Sequence, residues 1–171
     1  VILMMGAHVV KCGLSHVVIN LMERGIISLV AMNGAGSIHD FEIAVAGKTS
    51  EDVALTLKNG SFGMAEETGL FMNTAIKEGA EAGLGVGKAL GKKLCAFKAR
   101  YLSKSILARA YELKVPVTVH VAIGTDIIHQ HPSCDGASLG AGTYRDFQKF
   151  AEFIPGINNG GVVLNFGSAV V

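Results

Sequence analysis

The sequence predicts an α/β protein with a mostly parallel sheet, and three observations carry that expectation. Two short apolar runs, Val1–Met5 and Ile26–Met32, read as buried strands, because parallel strands covered on both faces are continuously hydrophobic. Between them Leu14, Val17, Val18, Leu21 and Met22 recur at i, i+3, i+4, i+7 and i+8, which is one face of a helix. The second run leads into a glycine-bearing stretch, Asn33-Gly34-Ala35-Gly36-Ser37-Ile38-His39-Asp40-Phe41-Glu42, of the kind found at the carboxyl ends of strands in such folds.

Strand, helix and strand make a βαβ unit, for which a right-handed crossover is expected. Gly6-Ala7-His8 reads as a turn. Arg24 falls in the last turn of the helix and Gly25 at its C′ position. Ile38 to Ala46 can be helical. Thr49-Ser50-Glu51-Asp52 is a capping-box pattern opening a short helix to about Lys58, ended by Asn59-Gly60. A further helix starts near Ser61, with Glu66 and Glu67 early and Leu70, Phe71, Ala75 and Ile76 following. Gly69, Gly79 and Gly83 inside it each cost roughly 1 kcal/mol relative to alanine, so they signal close packing or a break.

Ser103 to Lys114 reads as a helix with Ile106, Leu107, Ala110 and Leu113 on one face. Val115 to Ile123 is a strand entered through Pro116, a position where proline is allowed. Gly124 to Gly140 reads as a long polar loop. A helix follows with Tyr144, Phe147, Phe150, Ala151 and Ile154 expected on its inner face. Asn158-Asn159-Gly160-Gly161 then turns into a last strand, Val162 to Phe166, which ends at Gly167-Ser168.

Composition narrows the classes. At 171 residues the chain is expected to form a single domain with a proper core. It begins at Val1 and stops at Val171, inside expected elements at both ends, which suggests part of a longer protein. Half the residues are apolar, 17% are charged and the mean hydropathy is +0.43, a surplus that suggests apolar surface hidden in a homo-oligomer. A net charge of +1, with both signs interspersed, disfavours nucleic-acid binding. No apolar run approaches the ~18 residues of a membrane span, and Val1–Met5 lacks the length and basic start of a signal peptide. Cys12, Cys95 and Cys134 have no C-x-x-C spacing, which fits a reduced, cytoplasmic compartment.

The motifs are individually incomplete. Gly34 and Gly36 satisfy the first two glycines of G-x-G-x-x-G, but His39 stands where the third belongs. No strand ending in an acid follows about twenty residues later to read a ribose. Glu51 and Asp52 come nearest, within a helix-start pattern. The alternative is a tight strand-to-helix turn needing glycine for φ > 0. Gly83 to Ala89 resembles a phosphate loop but has Ala82 for its first glycine and Ala89 for its Ser/Thr, so a helix with Lys88, Lys92 and Lys93 on its solvated face is favoured.

His129-x-His131-x-x-Cys134-Asp135 admits several readings. Imidazole, thiolate and carboxylate suit zinc. The histidines could instead hydrogen-bond within the loop or across a subunit contact, or carry a proton in a cleft. Cys134 could be a nucleophile, though sequence order identifies no base for it. Three strand-end loops, Asn33–His39, Gly124–Gly136 and Gly167–Ser168, could meet where parallel sheets bind ligands.

Taken together these stretches resemble the deoxyhypusine synthase family. Val30 to Ala46 resembles its glycine-rich NAD segment, with Asn33-Gly34-Ala35-Gly36 leading to His39-Asp40. The run from Ser105 through Pro116-Val117 to Asp135-Gly136-Ala137-Ser138-Leu139-Gly140 looks like its helix, Pro-Val strand and Asp-Gly-Ser-Leu-Gly segment. Val163 to Val171 looks like the start of its Leu-Gly-Gly-Gly-Val-Val turn. The resemblance implies a Rossmann-like, mostly parallel sheet with helices on both faces and NAD as cofactor. It implies a homotetramer of tight dimers with active sites at subunit interfaces. The implied reaction oxidises spermidine or a similar polyamine and transfers its aminobutyl group through an enzyme lysine imine, with a protein lysine as one candidate acceptor, as in deoxyhypusine or homospermidine synthases.

By the same resemblance Asn33, Gly34, Ala35 and Gly36 approach the cofactor, with His39 or Asp40 where the family has an acid. Asp126, or Asp135 beside Gly136, takes the place of its cofactor-contacting aspartate. Gly167 and Ser168 fall on its last cofactor turn, and Asp40, Glu42, Asp126 and Asp135 could line an acidic cleft for an amine. The family's catalytic lysine lies in a Ser-Trp-Gly-Lys run, whereas this sequence has no tryptophan, so no catalytic residue is assigned. Two other functions stay open: a non-catalytic oligomeric scaffold, and a zinc-dependent hydrolase using His129 and His131 with Cys134.

Overall fold

Four parallel strands form one sheet in a computed structural model that describes residues 1–49 and 66–167. The helix expected at 51–58, the start near Ser61 and Ser168 lie outside the described residues. The strands are β1 (Ile2–Met5), β2 (Leu29–Asn33), β3 (Val117–His120) and β4 (Val163–Phe166), in the order β3-β2-β1-β4. Register pairs Met5 with Met32 and with Phe166, and Asn33 with His120, so the carboxyl ends of all four strands share one edge. The chain runs outward from β1 to β2 and β3, then returns to place β4 on β1's other side. The topological switch point therefore lies between β1 and β4.

Among the described residues seven helices cover the sheet: α1 (Ala7–Lys11), α2 (Ser15–Glu23), α3 (Gly34–Ala46), α4 (Glu66–Glu81), α5 (Val86–Phe97), α6 (Ile106–Leu113) and α7 (Gly136–Phe153). Alternation along the strands decides which face each residue serves. Leu3, Met5, Val30, Met32, Val117 and Val119 enter the main core with residues from α1 to α6. Ile2, Leu29 and Ala31 face the other way, against Phe150, Phe153 and Ile157 from α7 and the 3₁₀ turn that follows it. The α/β class with helices on both faces is thus observed.

Several boundaries differ from the sequence reading, each for a local reason. Gly6-Ala7-His8 is not a turn: α1 begins directly at Ala7, with Gly6 as its N-cap. In α2 the buried stripe is Ser15, Val18, Ile19 and Met22, one residue on from that expected, leaving Val17 43% exposed. The loop after β3 is partly ordered by a 3₁₀ turn, Ile127–Gln130, and gives way to α7 at Gly136. Gly79 allows close packing, since a Cβ there would overlap that of Ala89 on α5, whereas Gly83 at φ +72° lies past the end of α4.

The largest departure is the orientation of α7. Tyr144 and Phe147, expected inside, are 59% and 54% exposed, and the inner face carries Leu139, Gly142 and Asp146. The reason is polar. β3 is an edge strand, and α7 supplies the partners its outer edge lacks. Asp146 Oδ2 accepts the Val119 N–H at 2.9 Å and the Gly87 N–H of α5 at 2.9 Å. Thr143 Oγ1 accepts the Val121 N–H at 2.9 Å and donates to the Val119 carbonyl at 2.8 Å. Hydrophobicity alone would turn Tyr144 and Phe147 inward, but satisfying buried backbone groups turns them out, while Phe150 still packs on the sheet as expected.

Glycine makes this contact close. A Cβ on Gly87 would overlap the Val117 carbonyl oxygen, while Gly140 faces open space. Gly87→Ala is expected to destabilise by about 1–3 kcal/mol through overpacking. Gly140→Ala is expected to be neutral or to stabilise by up to about 1 kcal/mol through helix propensity. Urea unfolding of the two variants checks the contrast, and equal effects would refute the packing account.

Candidate functional site

The glycine-bearing stretch is the first turn of α3, which follows β2 without a loop. Asn33 is the N-cap, its Oδ1 accepting the Gly36 N–H at 2.9 Å, and Ser37 Oγ donates to the Gly34 carbonyl at 2.7 Å. Neither Gly34 nor Gly36 has positive φ, so the turn explanation for these glycines fails. What Gly34 permits is proximity: a Cβ there would overlap the carboxylate of Asp126. The helix N-terminus thus already faces an acidic side chain, the electrostatic arrangement a helix dipole favours. A phosphate placed there would meet that carboxylate.

Asp126 is held by a reciprocal capping box. Its carboxylate takes the His129 N–H, and the His129 ring takes the Asp126 N–H. Burial raises the Asp126 carboxyl above its ordinary value, and the nearby His129 lowers it. Of the two candidate aspartates, this is the one brought to Gly34. Asp135 instead caps α7, accepting from Ala137 N–H at 3.0 Å and Ser138 Oγ at 2.7 Å. The Ser138 bond is the main reason its carboxyl lies below the usual range. It borders a separate depression of about 580 Å³ with Lys77, Glu78 and Glu81, and Gly136 follows it as the first residue of α7.

Asp40 is enclosed in the core. It is 0% exposed, and its carboxylate accepts from Ser105 Oγ at 2.6 Å, Ile106 N–H at 2.7 Å and Leu107 N–H at 2.9 Å. It caps α6 from inside the core. Burial raises it from 3.8 to about 6, against the lowering effect of those three bonds. His39 is half-buried, its Nδ1 3.2 Å from Glu42 Oε2, and Glu42 is itself buried. The four acids proposed for one cleft are therefore dispersed, with Asp126 alone beside Gly34. Ala35 is half-buried within the same first turn. Gly167, at φ +71°, ends β4, and its carbonyl accepts the Gly6 N–H at 2.7 Å across the switch point.

The histidine loop is tied internally. His129 Nδ1 accepts from Gly124 N–H at 3.0 Å and Asp126 N–H at 3.2 Å. His131 Nδ1 accepts the Ser133 N–H at 3.2 Å and its ring packs on Gly69 of α4, where a Cβ would come within 2.8 Å. Cys134 is half-buried, and burial, then Asp135, pushes its thiol up, the reverse of nucleophile activation. Among the described residues no group of three or more His, Cys, Asp or Glu could hold a metal, so the His129, His131 and Cys134 set does not assemble.

Sequence reasoning missed His120. It ends β3 opposite Asn33, with Nε2 3.0 Å from Thr118 Oγ1 and its ring 5.5 Å edge-on from Phe150. The signal was present, because Thr118 and His120 alternate with Val117, Val119 and Val121 and so share one face of the strand. A larger cavity of about 950 Å³ flanks the start of β3 between α5, α6 and α7, away from the strand carboxyl ends.

Solved structures share this fold, three of them as follows. A protein from Entamoeba histolytica, provisionally named a deoxyhypusine synthase, is 12% identical with a TM-score of 0.58, over 99% of this chain and 60% of that one. A conserved protein from Methanococcus maripaludis S2, provisionally assigned to the LOR/SDH group, is 15% identical with a TM-score of 0.51, over 82% of this chain and 37% of that one. The cyanobacterial arginine dihydrolase ArgZ, from the ornithine–ammonia cycle, is 18% identical in its apo form with a TM-score of 0.51, over 98% of this chain and 21% of its own. At these identities the likeness is one of fold, and the chain spans less than two thirds of each neighbour. No family model matches the sequence, and no curated protein does. No helix among the described residues is long and apolar enough to cross a membrane.

The buried carboxylates make a pH prediction. Burial raises Asp40 and Asp146 from 3.8 to about 6. Each therefore contributes stability that is complete below the unfolded value and lost as pH rises through the folded one. The stability of the wild type relative to Asp40→Asn is expected to fall by about 2 kcal/mol between roughly pH 4.5 and 7. Urea unfolding at both pH values measures this, and a constant or rising difference would refute it.

Proposed function

We propose that this chain is the NAD-binding part of an enzyme acting on an amine substrate, at the carboxyl edge of the sheet. The observation that carries the reading is the Asp126 carboxylate lying against Gly34, at the carboxyl ends of β2 and β3. In an open parallel sheet that edge is where dinucleotides lie, and an acid there suits ribose hydroxyls. The donor chemistry fits the ribose part of the cofactor on Asn33, Gly34 and Asp126. It does not fit a diphosphate on α3, where Asp126 adds negative charge and Asn33 already occupies the Gly36 N–H.

When bound, NAD supplies a hydride acceptor for oxidising a carbon next to an amine nitrogen. The chain's own residues bind and orient: Asp126 accepts hydroxyl hydrogen bonds and presents negative charge to a cationic ligand. A polyamine substrate of the spermidine type, transfer to an acceptor such as a protein lysine, and a cytoplasmic tetramer belong to the same proposal. They rest on the sequence resemblance and on the fold likeness to the protein named as a deoxyhypusine synthase. Oligomerisation is also supported by Tyr144 and Phe147 on α7 and Leu164 and Phe166 on β4, all largely exposed.

Thermal unfolding with NAD tests the reading. At 100 times its dissociation constant a bound ligand stabilises by roughly 2.7 kcal/mol, so a clear rise in Tm is expected. Asp126→Ala is expected to abolish the shift and Asp135→Ala to retain it. No shift in the wild-type protein, or a shift that survives Asp126→Ala, would sink the assignment.

A further inference from the structure

We infer that His129 is a positioning residue that acts through Asp126, its Nε2–H being held toward the carboxylate that lies on Gly34. The inference rests on the proposed ligand site and adds a residue to it. The tautomer follows from geometry. His129 Nδ1 accepts two backbone N–H groups, from Gly124 and Asp126, so it carries no proton and the neutral ring bears its hydrogen on Nε2. That nitrogen is buried and has no hydrogen-bond partner. It stands 3.9 Å from Asp126 Oδ2, the two side chains being 7% and 9% exposed.

A buried donor without a partner is rare in a folded protein, because its lost hydration is not replaced. Here the ring cannot rotate away, since both N–H groups that fix Nδ1 belong to the same loop as Asp126. Oδ2 is also the carboxylate oxygen nearest Gly34. One oxygen is thus set between the start of α3 and the imidazole. A metal-free site uses the same logic by which histidine ligands are oriented through their second ring nitrogen: one nitrogen is anchored, so the other is aimed. His129 fixes which way Asp126 points and favours its ionised form, and the ligand meets Asp126 and not the imidazole.

Two substitutions separate the two nitrogens. In His129→Asn the amide oxygen replaces the Nδ1 acceptor and the Nε2 donor is lost. In His129→Gln the amide reaches the Nε2 position and the Nδ1 acceptor is lost. The Asp126 carboxyl titration, followed by carbon NMR on labelled protein, is expected to move upward in His129→Asn while Tm stays near wild type. His129→Gln is expected to restore the titration toward wild type while Tm falls. NAD affinity is expected to follow the titration, falling roughly tenfold or more in His129→Asn, the scale seen when an orienting partner is removed. An unchanged Asp126 titration in His129→Asn, or a loss in both variants that follows Tm alone, would overturn the inference. The titration needs no ligand, so failure of the wild-type protein to bind NAD would count against the proposed site alone.

Discussion

The carboxylate of Asp146 is the joint on which the layers depend. It is buried on α7, yet it accepts backbone hydrogen bonds from both Val119 on β3 and Gly87 at the start of α5. One side chain thereby terminates the sheet, caps a helix and sets the rotation of another helix. Removing it would leave several buried donors without partners, each costing about 1–3 kcal/mol. Gly85 and Gly87 make room for it, since a Cβ on either would collide with Asp146 or with the strand behind it. Asp40 does the same work for α6, through Ser105, Ile106 and Leu107. The core is therefore apolar in bulk and aligned by two acids.

That alignment gives the carboxyl edge of the sheet its character. α3 starts with no intervening loop because Asn33 is both the last strand residue and the helix cap. Asp126 arrives from the loop after β3 and stands where a phosphate would otherwise sit. The edge then suits hydroxyl and amine groups better than it suits a phosphate on α3. At the far side, β4 offers a contrasting surface. Val163, Leu164 and Phe166 are all substantially exposed, and no charged residue follows Glu152 in the sequence. Edge strands are ordinarily protected by charge, proline or a bulge, and among the described residues β4 carries none of these.

Much of the scaffold was legible in the sequence, because continuous apolar runs and a 3.6-residue stripe are direct signatures of buried strands and packed helices. The runs before Met5 and before Asn33, the helix between them and the entry at Pro116 all lie close to where periodicity put them. The inner face of α7 was not legible. Tyr144, Phe147 and Ile154 make the stronger hydrophobic stripe, and only the unmet hydrogen bonds of β3 explain why Asp146 turns inward. At the site, pattern reading found the correct strand ends but could not separate Asp126 from Asp135. Both precede helical segments, and the choice is made by which loop reaches Gly34. Asp40 shows the same limit: an acid near a glycine-rich turn looks like a ligand group until its three donors from α6 are seen.

Gly34 and Asp126 occupy one volume between them. Because any side chain at 34 would displace the carboxylate, the two positions are not free to vary separately. A larger residue at 34 demands a shorter one at 126, and loss of the acid at 126 removes the reason for glycine at 34. Natural variation in relatives of this chain should therefore couple these two sites, distant in sequence, more tightly than either is coupled to its own helix or loop.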